Sequence, residues 1–276
     1  MASKSVGKLL THISRRKTGT VATLTISRPD KLNALSSHIM REIPKTVSEV
    51  VQQYKDLLAV VLTGHGAKAF VGGADINEMA TLTTPEVGRA FITTMHHACK
   101  SLRECPVPVI GRLNGYTLGG GLELAVSCDF RVASRNAVFG MPEVKVGVPS
   151  VVEAALITSL IGWGRTRRLF YLGDKIGAEE AERWGLVEKV VEDQEKLDEA
   201  VEQWLIELEE CGPRSIKIQK EMMRRWENVT MEEAIRNSID FFGRSFETEE
   251  GSGDVSEPQR MTREVLAKLA ARKSKL

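Results

Sequence analysis

Runs of branched apolar residues alternate with stretches of helical periodicity through the first two thirds of the chain. Such runs predict buried strands, and the periodic stretches predict helices. The predicted strands cover residues 21–26, 59–62, 109–113 and 130–133, and the predicted helices cover residues 40–51, 85–102 and 122–127. Strands that alternate with helices in this order predict an α/β fold with parallel crossovers.

Beyond about residue 195 the strand pattern stops and amphipathic helical patterns take over. These predicted helices cover residues 197–210, 216–226, 231–246 and 260–271. We therefore divide the chain into a core, residues 1–195, and a C-terminal helical region, residues 196–276. The polar break at 248–258 has loop composition and is interpreted as a mobile linker.

Composition agrees with one enzyme domain and a C-terminal appendage. The 276 residues are 42% hydrophobic, which suffices for a sizeable core. The formal net charge of +1 gives no global electrostatic reason to bind nucleic acid or a membrane, although residues 165–168 and 224–225 form small basic clusters. No stretch approaches the roughly 18 apolar residues of a membrane span. We expect neither nucleic acid nor a membrane as a partner.

The remaining motifs argue against several kinds of chemistry. The four cysteines show no C-x-x-C spacing, and no apolar signal-peptide core is present, so we expect reduced, intracellular thiols with Cys128 in the core. His96 and His97 lack partners at metal-ligand spacing, which favours a surface or packing role and predicts no metal site. Motifs for dinucleotides, P-loops and serine hydrolases are absent from the sequence.

Two glutamates twenty residues apart are the main candidates for chemistry. Glu123 follows the glycine run 119–121, and Glu143 ends the segment 139–143. A glycine run lets backbone N–H groups approach a ligand, and a helix that begins there adds a positive end. The upstream segment 68–76 is also short of side chains. Two such loops could supply two N–H donors to one oxygen, beside a paired carboxylate site.

Four segments in family order resemble the crotonase superfamily, which includes enoyl-CoA hydratases and isomerases. They are residues 69–76, 114–123, 128–129 and 139–143, and the resemblance extends from the strand at 21 to about residue 191. It implies a spiral of ββα turns and an acyl-CoA substrate, with no cofactor beyond the substrate's own CoA. It also implies a homotrimer or homohexamer, in which the helical tail packs over the active site or a neighbouring subunit.

The resemblance also implies roles for individual residues. The backbone N–H groups of Ala74 and Gly120 would form an oxyanion hole for the thioester oxygen. Glu123 would hold and deprotonate water, and Glu143 would deliver or remove the Cα proton. Residues that would bind the CoA portion are Lys31, Leu32, Ala34, Lys68, Gly73, Asp75 and Ile76, with Lys68 near the phosphates.

Both glutamates favour a hydratase over an isomerase. Family isomerases that convert a 3-enoyl into a 2-enoyl thioester need one carboxylate, at the position of Glu143, and usually lack the one at Glu123. The alternatives are therefore such an isomerase and, in another class, a non-catalytic crotonase-like protein that binds acyl-CoA or RNA.

One segment departs from the family pattern. Hydratases of this type commonly follow the second glutamate with a sequence of the form G-x-x-P-G-x-G-G, whereas residues 147–155 here are shorter, lose the glycines and add β-branched residues and Glu153. Trp163 follows soon after. We expect a short, branched or hydroxylated acyl group, such as mevalonyl-CoA in siderophore or other secondary metabolism.

The chain ends in Ser274-Lys275-Leu276, preceded by Arg272 and Lys273. A terminal tripeptide of this form is an address read by the peroxisomal import receptor. The sequence therefore predicts a peroxisomal location.

Overall fold

The computed structural model describes residues 7–248 and 255–273. Within these residues ten strands form two sheets. The larger sheet has the order β1-β2-β3-β5-β7-β10 and the smaller one the order β4-β6-β8-β9. The strands are β1 (Lys8–Arg15), β2 (Thr20–Ser27), β3 (Leu57–Gly64), β4 (Ala69–Val71), β5 (Val109–Leu113), β6 (Tyr116–Leu118), β7 (Phe130–Ser134), β8 (Val138–Gly140), β9 (Lys175–Gly177) and β10 (Lys189–Val191).

The chain winds between the two sheets in repeated turns. From a strand of the larger sheet it passes to a strand of the smaller one, as β3 to β4, β5 to β6 and β7 to β8, and helical segments follow each pair. The strands β2, β3, β5, β7 and β10 are parallel, and β1 is antiparallel to β2. This arrangement confirms the predicted α/β spiral of ββα turns.

Ten α-helices are present in the described part of the chain. They are α1 (Ser37–Gln53), α2 (Ile76–Met79), α3 (Pro85–Glu104), α4 (Gly120–Val126), α5 (Ala155–Leu172), α6 (Ala178–Trp184), α7 (Gln194–Glu209), α8 (Pro213–Trp226), α9 (Met231–Arg244) and α10 (Glu257–Lys273). Helix α5 is interrupted at Gly162, whose φ of 76° lies outside the helical region. Every helix and strand predicted from the sequence overlaps an observed element of the same type.

The core lies between the larger sheet and the helices α1 and α3. All eight residues of β3 are buried, as expected of a parallel strand that is covered on both faces. Ile39 and Ile43 of α1 and Leu102 of α3 are fully buried in the same cluster as Leu24 and Leu62. Because sheet and helices share these residues, the loops at the strand ends are set on a rigid frame.

The chain divides into two compact units, Met1–Leu205 and Ile206–Leu276. In the second unit the carboxylate of Glu257 accepts hydrogen bonds from the N–H groups of Arg214 (3.1 Å) and Ser215 (2.9 Å), which satisfies the first turn of α8.

The domain boundary that the sequence predicts at residue 195 stays a prediction. Residues 249–254 of the predicted linker, and Ser274, Lys275 and Leu276, lie outside the described residues. No helix among the residues described is long and apolar enough to cross a membrane.

Candidate active site

Two backbone loops meet at the centre of the site, one at residues 72–75 and one at 118–120. Gly73 has a φ of 115°, and a Cβ built on it would lie 3.4 Å from the Leu118 carbonyl oxygen. A Cβ on Gly119, whose φ is 53°, would lie 3.9 Å from the Gly73 Cα. Both positions require the positive φ that glycine adopts without strain. The glycines therefore bring the two backbones close together, as the sequence predicts.

These loops carry the two N–H groups expected to form the oxyanion hole. Residue Ala74 is fixed between two hydrogen bonds, from Leu35 N to Gly73 O and from Asp75 N to Leu35 O, each 2.9 Å. Gly120 is the first residue of α4. Among the described residues, neither the Ala74 N–H nor the Gly120 N–H donates a hydrogen bond. The two donors are thus available to a ligand oxygen, and their role in catalysis stays a prediction.

Glu143 reaches the same place from the smaller sheet. It is the second residue of a 3₁₀ helix, Pro142–Val146, which a single residue separates from the end of β8. The Gly119 N–H donates to Gly140 O, the last residue of β8, at 2.9 Å. A Cβ on Gly119 would lie only 2.3 Å from Glu143 Oε1. The Ser150 hydroxyl donates to Glu143 Oε2 at 3.3 Å. The missing side chain at 119 is therefore what lets this carboxylate approach the glycine loop.

Glu123 lies in the first turn of α4 and is 4% exposed. Burial, and then the charges of Glu143 and Glu153, raise the pKa of Glu123 to about 8, although backbone hydrogen bonds from Ala154 and Val151 oppose this rise. Burial also raises the pKa of Glu143, against the Ser150 hydrogen bond, which lowers it. The two carboxyls therefore form one coupled site that keeps a proton at neutral pH. Such a site can supply both an acid and a base.

The loop at residues 28–36 brings the predicted CoA residues Lys31, Leu32 and Ala34 beside the segment 72–76. The Gly72 N–H donates to Leu32 O at 2.8 Å, which ties the two segments together. Lys31 is exposed and Leu32 has a positive φ of 52°. The structure therefore groups these three residues with Gly73, while their contact with CoA stays a prediction.

Asp75, Ile76 and Lys68 differ in how much of each residue a ligand can reach. The Asp75 carboxylate is buried, lies 2.6 Å from Arg28 Nη1 and accepts from the Asn77 N–H at the start of α2. Burial alone would raise the pKa of Asp75, but hydrogen bonds from Arg28 and Asn77 outweigh it and lower that pKa. Its backbone is also engaged, since the N–H donates to Leu35 O and the carbonyl oxygen accepts from the Met79 N–H, each at 2.9 Å. Contact of Asp75 with CoA therefore stays a prediction. The side chains of Ile76 and Lys68 are exposed.

Two buried asparagines support the loop that carries Lys68. Asn33 Nδ2 and Asn114 Nδ2 both donate to Ala69 O, at 2.8 and 2.9 Å. Asn33 also donates to His65 O at 3.0 Å, and Asn114 Oδ1 accepts from the Gly64 N–H at 3.1 Å. Both residues lie in the part of the chain that resembles the crotonases, but no local pattern predicts that they converge on one carbonyl.

His96 has a contact that the sequence did not reveal. Its Nδ1 lies 2.9 Å from Glu153 Oε1, although the two residues are 57 positions apart. The prediction of a surface or packing role was therefore incomplete. In the described residues, 7–248 and 255–273, no group of three or more His, Cys, Asp or Glu side chains is placed to hold a metal ion.

The cysteines are free thiols, and Cys128 is buried as predicted. Cys99 is fully buried in α3, where burial and the charges of Glu123 and Glu153 raise its pKa well above the ordinary value. A thiol held protonated in this way is a poor nucleophile. We therefore assign Cys99 a packing role, although it lies near Glu123 and Glu153.

The basic cluster at 165–168 is largely engaged within the chain. The guanidinium groups of Arg165 and Arg168 lie over the Trp184 ring, at 5.4 and 5.6 Å from its centroid. Arg168 Nε also lies 2.9 Å from Asp174 Oδ2. Arg167 lies over the Trp163 ring at 5.5 Å, so each of the three arginines has a partner on the protein.

Comparisons with known proteins agree with this geometry. A family profile described as enoyl-CoA hydratase/isomerase matches residues 16–257. The short-chain-enoyl-CoA hydratase of Clostridium acetobutylicum is 38% identical over 242 residues, which cover 87% of this chain and 92% of that protein. The crotonyl-CoA hydratase of Syntrophomonas wolfei is 35% identical over 240 residues, which cover 87% and 91%. The crystal structure of an enoyl-CoA hydratase from Bacillus anthracis gives a TM-score of 0.79 at 28% identity, with 87% of this chain and 92% of that one covered.

Proposed function

Because the chain belongs to the enoyl-CoA hydratase/isomerase family, we propose that it is an enoyl-CoA hydratase, which adds water reversibly to a 2-enoyl-CoA. The observation that carries this proposal is the buried Glu123 coupled to Glu143, next to the unpaired N–H groups of Ala74 and Gly120. Acid, base and charge-stabilising donors are all present within one small site.

The reaction begins at the thioester carbonyl. As water adds to Cβ, negative charge moves onto the carbonyl oxygen in an enolate-like transition state. The N–H groups of Ala74 and Gly120 stabilise this charge, and each such donor is typically worth about 2.7 to 4 kcal/mol. Backbone donors held by a rigid frame need no reorganisation at the moment of reaction.

The two carboxylates complete the addition. In the form of the coupled pair that reacts, the shared proton lies on Glu143, and this form is the minor one near neutral pH because the pKa of Glu123 is raised to about 8. The ionised Glu123 then takes a proton from water as the hydroxyl oxygen bonds to Cβ. Glu143, in its protonated form, gives its proton to Cα as the double bond becomes single. The site therefore gains one proton and loses one, and a proton exchange between the carboxyls and solvent restores it. Dehydration of a 3-hydroxyacyl-CoA follows the same steps in reverse.

The second carboxylate distinguishes hydration from isomerisation. Moving a double bond from the 3 to the 2 position requires a proton to leave Cα and another to return at Cγ, which one carboxylate can perform. An ionisable Glu123 buried at 4% exposure is costly for the fold. Hydration accounts for this cost, because it needs a second carboxylate to activate water, and isomerisation does not.

The test is the loss of ultraviolet absorbance when the purified chain meets crotonyl-CoA, since hydration removes the conjugated double bond. We expect turnover by the wild type, and a loss of about 10² to 10⁴ in kcat for Glu123→Gln and for Glu143→Gln. Glu86→Gln, which changes an exposed glutamate of α3, serves as the matched control and keeps full activity. Activity should survive dialysis against a chelator, because we propose no cofactor beyond the substrate's CoA.

Two other outcomes would reject the hydratase. If the wild type leaves crotonyl-CoA unchanged but brings a 3-enoyl-CoA into conjugation, and only Glu143→Gln abolishes this, the chain is an isomerase. If acyl-CoA binds without turnover of either substrate, the chain is a non-catalytic binding protein.

We further propose that the acyl group is short, branched or hydroxylated. Support comes from Val151 and Val152, which place β-branched side chains in the segment whose backbone contacts Glu123. Two relatives carry the names short-chain-enoyl-CoA and crotonyl-CoA hydratase. The test compares kcat/KM for crotonyl-CoA, a long-chain 2-enoyl-CoA and the dehydration of mevalonyl-CoA. Equal values for short and long chains would contradict the proposal.

We propose a homo-oligomer, a trimer or a pair of trimers. The second unit carries a row of exposed apolar side chains on α9, where Ile235, Ile239 and Phe242 are each at least 65% exposed. An apolar row of this kind commonly marks an interface between proteins. Light scattering of the purified chain measures the mass directly, and a monomer at micromolar concentration would contradict this proposal.

We also propose import into peroxisomes through Ser274-Lys275-Leu276. A fluorescent protein fused in front of the C-terminal helical region should enter peroxisomes, and a fusion that lacks the last three residues should stay in the cytosol. Identical distributions of the two fusions would reject this address.

A further inference from the structure

Glu153 is a third buried carboxylate, outside the pair that performs the proposed reaction. It lies on the 3₁₀ turn Val152–Ala154 and is 4% exposed. Its Oε1 atom lies 2.9 Å from His96 Nδ1 and 3.9 Å from Arg103 Nη1, both on α3. Its Oε2 atom is buried, and within the described residues it has no hydrogen-bond partner.

Stability of the fold does not account for this side chain. Burying a carboxylate is costly, and an apolar residue of similar size often stabilises a protein as well as a buried ion pair does. A buried oxygen without a partner adds to that cost. A role beyond packing is therefore expected of Glu153.

The turn that carries Glu153 is strained. Val152 has a φ of 42°, in the left-handed region that β-branched residues almost never adopt. Conformations of this kind persist only where the surrounding contacts fix them, and they cluster at functional sites. The turn packs against α4, and the backbone of the flanking residues Val151 and Ala154 lies close enough to Glu123 to lower its pKa. The strained turn is thus the part of the chain that faces the catalytic carboxylate.

Three helices surround this turn, and their charged groups define its electrostatics. Helix α3 presents His96, Arg103 and the protonated thiol of Cys99, and α4 presents Glu123. Helix α5, which begins at Ala155, brings no charged side chain within ion-pair distance of Glu153 in the part of the chain that the structure describes. The charge of Glu153 raises the pKa of Glu123, after burial and Glu143.

We propose that Glu153 is a positioning residue for Glu123. Through His96 and Arg103 it anchors the strained turn to α3, so that the backbone of Val151 and Ala154 holds the Glu123 carboxylate in place. Its negative charge also favours the protonated form of Glu123. This inference rests on the proposed hydration, because Glu123 acts as the base in that reaction.

Two substitutions test the proposal with opposite expected effects. Glu153→Gln keeps the size of the side chain and removes its negative charge, so the limb of the kcat/KM–pH profile that Glu123 sets moves to lower pH. Arg103→Gln removes a positive charge that offsets Glu153, so the same limb moves to higher pH. We expect displacements of at least about half a pH unit. For Glu153→Gln we expect kcat to fall by about 10- to 100-fold, with KM changed by less than about two-fold.

A merely structural role would give a different result. The proposal would be overturned if both variants lost thermal stability while the limb that Glu123 sets stayed unchanged in each. It would also be overturned if that limb moved in the same direction in both variants. Glu86→Gln again serves as the control. If Glu153→Gln does not fold, Arg103→Gln still tests the proposal, because its limb is expected to move to higher pH and an unmoved limb would overturn it.

A second readout separates this proposal from the hydratase itself. Urea unfolding between about pH 7 and 9 reports the proton on Glu123 without any substrate. The measurement is made with His96→Gln and with His96→Gln/Glu153→Gln, so that the imidazole does not contribute. If the fall in the free energy of unfolding ends at a lower pH in the double variant than in the single one, the proposal is supported even where no enoyl-CoA is hydrated. If the two curves of unfolding free energy against pH have the same shape, the proposal is overturned even where hydration is fast.

Discussion

The proton on Glu123 should make the stability of the fold depend on pH. Burial and two neighbouring carboxylates raise the pKa of Glu123 from its ordinary value of 4.5 to about 8. Between these values the native chain holds a proton that the unfolded chain has lost, so unfolding releases a proton and a higher pH favours it. Stability that is present below pH 4.5 is therefore lost as the pH rises through about 8.

The size of this effect follows from the same two values. A difference of one pH unit between the native and unfolded pKa corresponds to about 1.4 kcal/mol, so the full effect amounts to about 5 kcal/mol. Glu123→Gln has nearly the same shape, is neutral at every pH and keeps an oxygen that accepts from the backbone. We expect this variant to be more stable than the wild type by about 1 kcal/mol at pH 5 and by about 5 kcal/mol at pH 9.

Urea unfolding followed by tryptophan fluorescence measures both proteins, since the chain has four tryptophans. The free energy of unfolding is compared at several pH values, and Glu86→Gln controls for the loss of an exposed glutamate. A constant difference between Glu123→Gln and the wild type from pH 5 to pH 9 would refute the reasoning. So would a variant that is less stable at pH 9.

Three further substitutions probe the surroundings of the site. Gly119→Ala would place a Cβ 2.3 Å from Glu143 Oε1 at a φ of 53°, so we expect a displaced carboxylate and kcat lowered by at least about 10²-fold, measured with crotonyl-CoA. Gly121→Ala would place a Cβ 2.3 Å from the Val71 carbonyl oxygen, and since backbone cannot move aside, thermal unfolding should show a loss of about 2 to 4 kcal/mol. Ser150→Ala removes a hydrogen bond that lowers the pKa of Glu143. The limb of the kcat/KM–pH profile that Glu143 sets should therefore move to higher pH. An unmoved limb would show that this hydrogen bond is absent in solution.

The parts of the fold that the sequence predicts are those with a long or strong pattern. The buried run in β3 and the periodic stretch in α3 are long enough for their apolar residues to identify them. The smaller sheet was not predicted, because β4, β6, β8 and β9 have three residues each and no pattern develops over that length. Helix α5 was also missed, and its interruption at Gly162 breaks the periodicity on which such a prediction depends.

The candidate site divides in the same way. Glu123 and Glu143 stand beside glycine motifs, so local sequence identifies them. The partners that shape their chemistry come from distant segments, as the 57 residues between His96 and Glu153 show. A strained backbone such as that of Val152 cannot be recognised from residue type, because valine ordinarily avoids a positive φ. Only the folded chain reveals which side chains meet.

The amides of Asn33 and Asn114 have a consequence for how the enzyme responds to its surroundings. Both donate to the Ala69 carbonyl, and a side-chain amide neither gains nor loses a proton in the range where carboxyls and imidazoles do. The anchoring of this carbonyl is thereby independent of the carboxyls that respond to acidity. A change in the acidity of the compartment would therefore act through Glu123 and Glu143, on the rate and on the stability of the fold, while the amide hydrogen bonds to the Ala69 carbonyl stay in place.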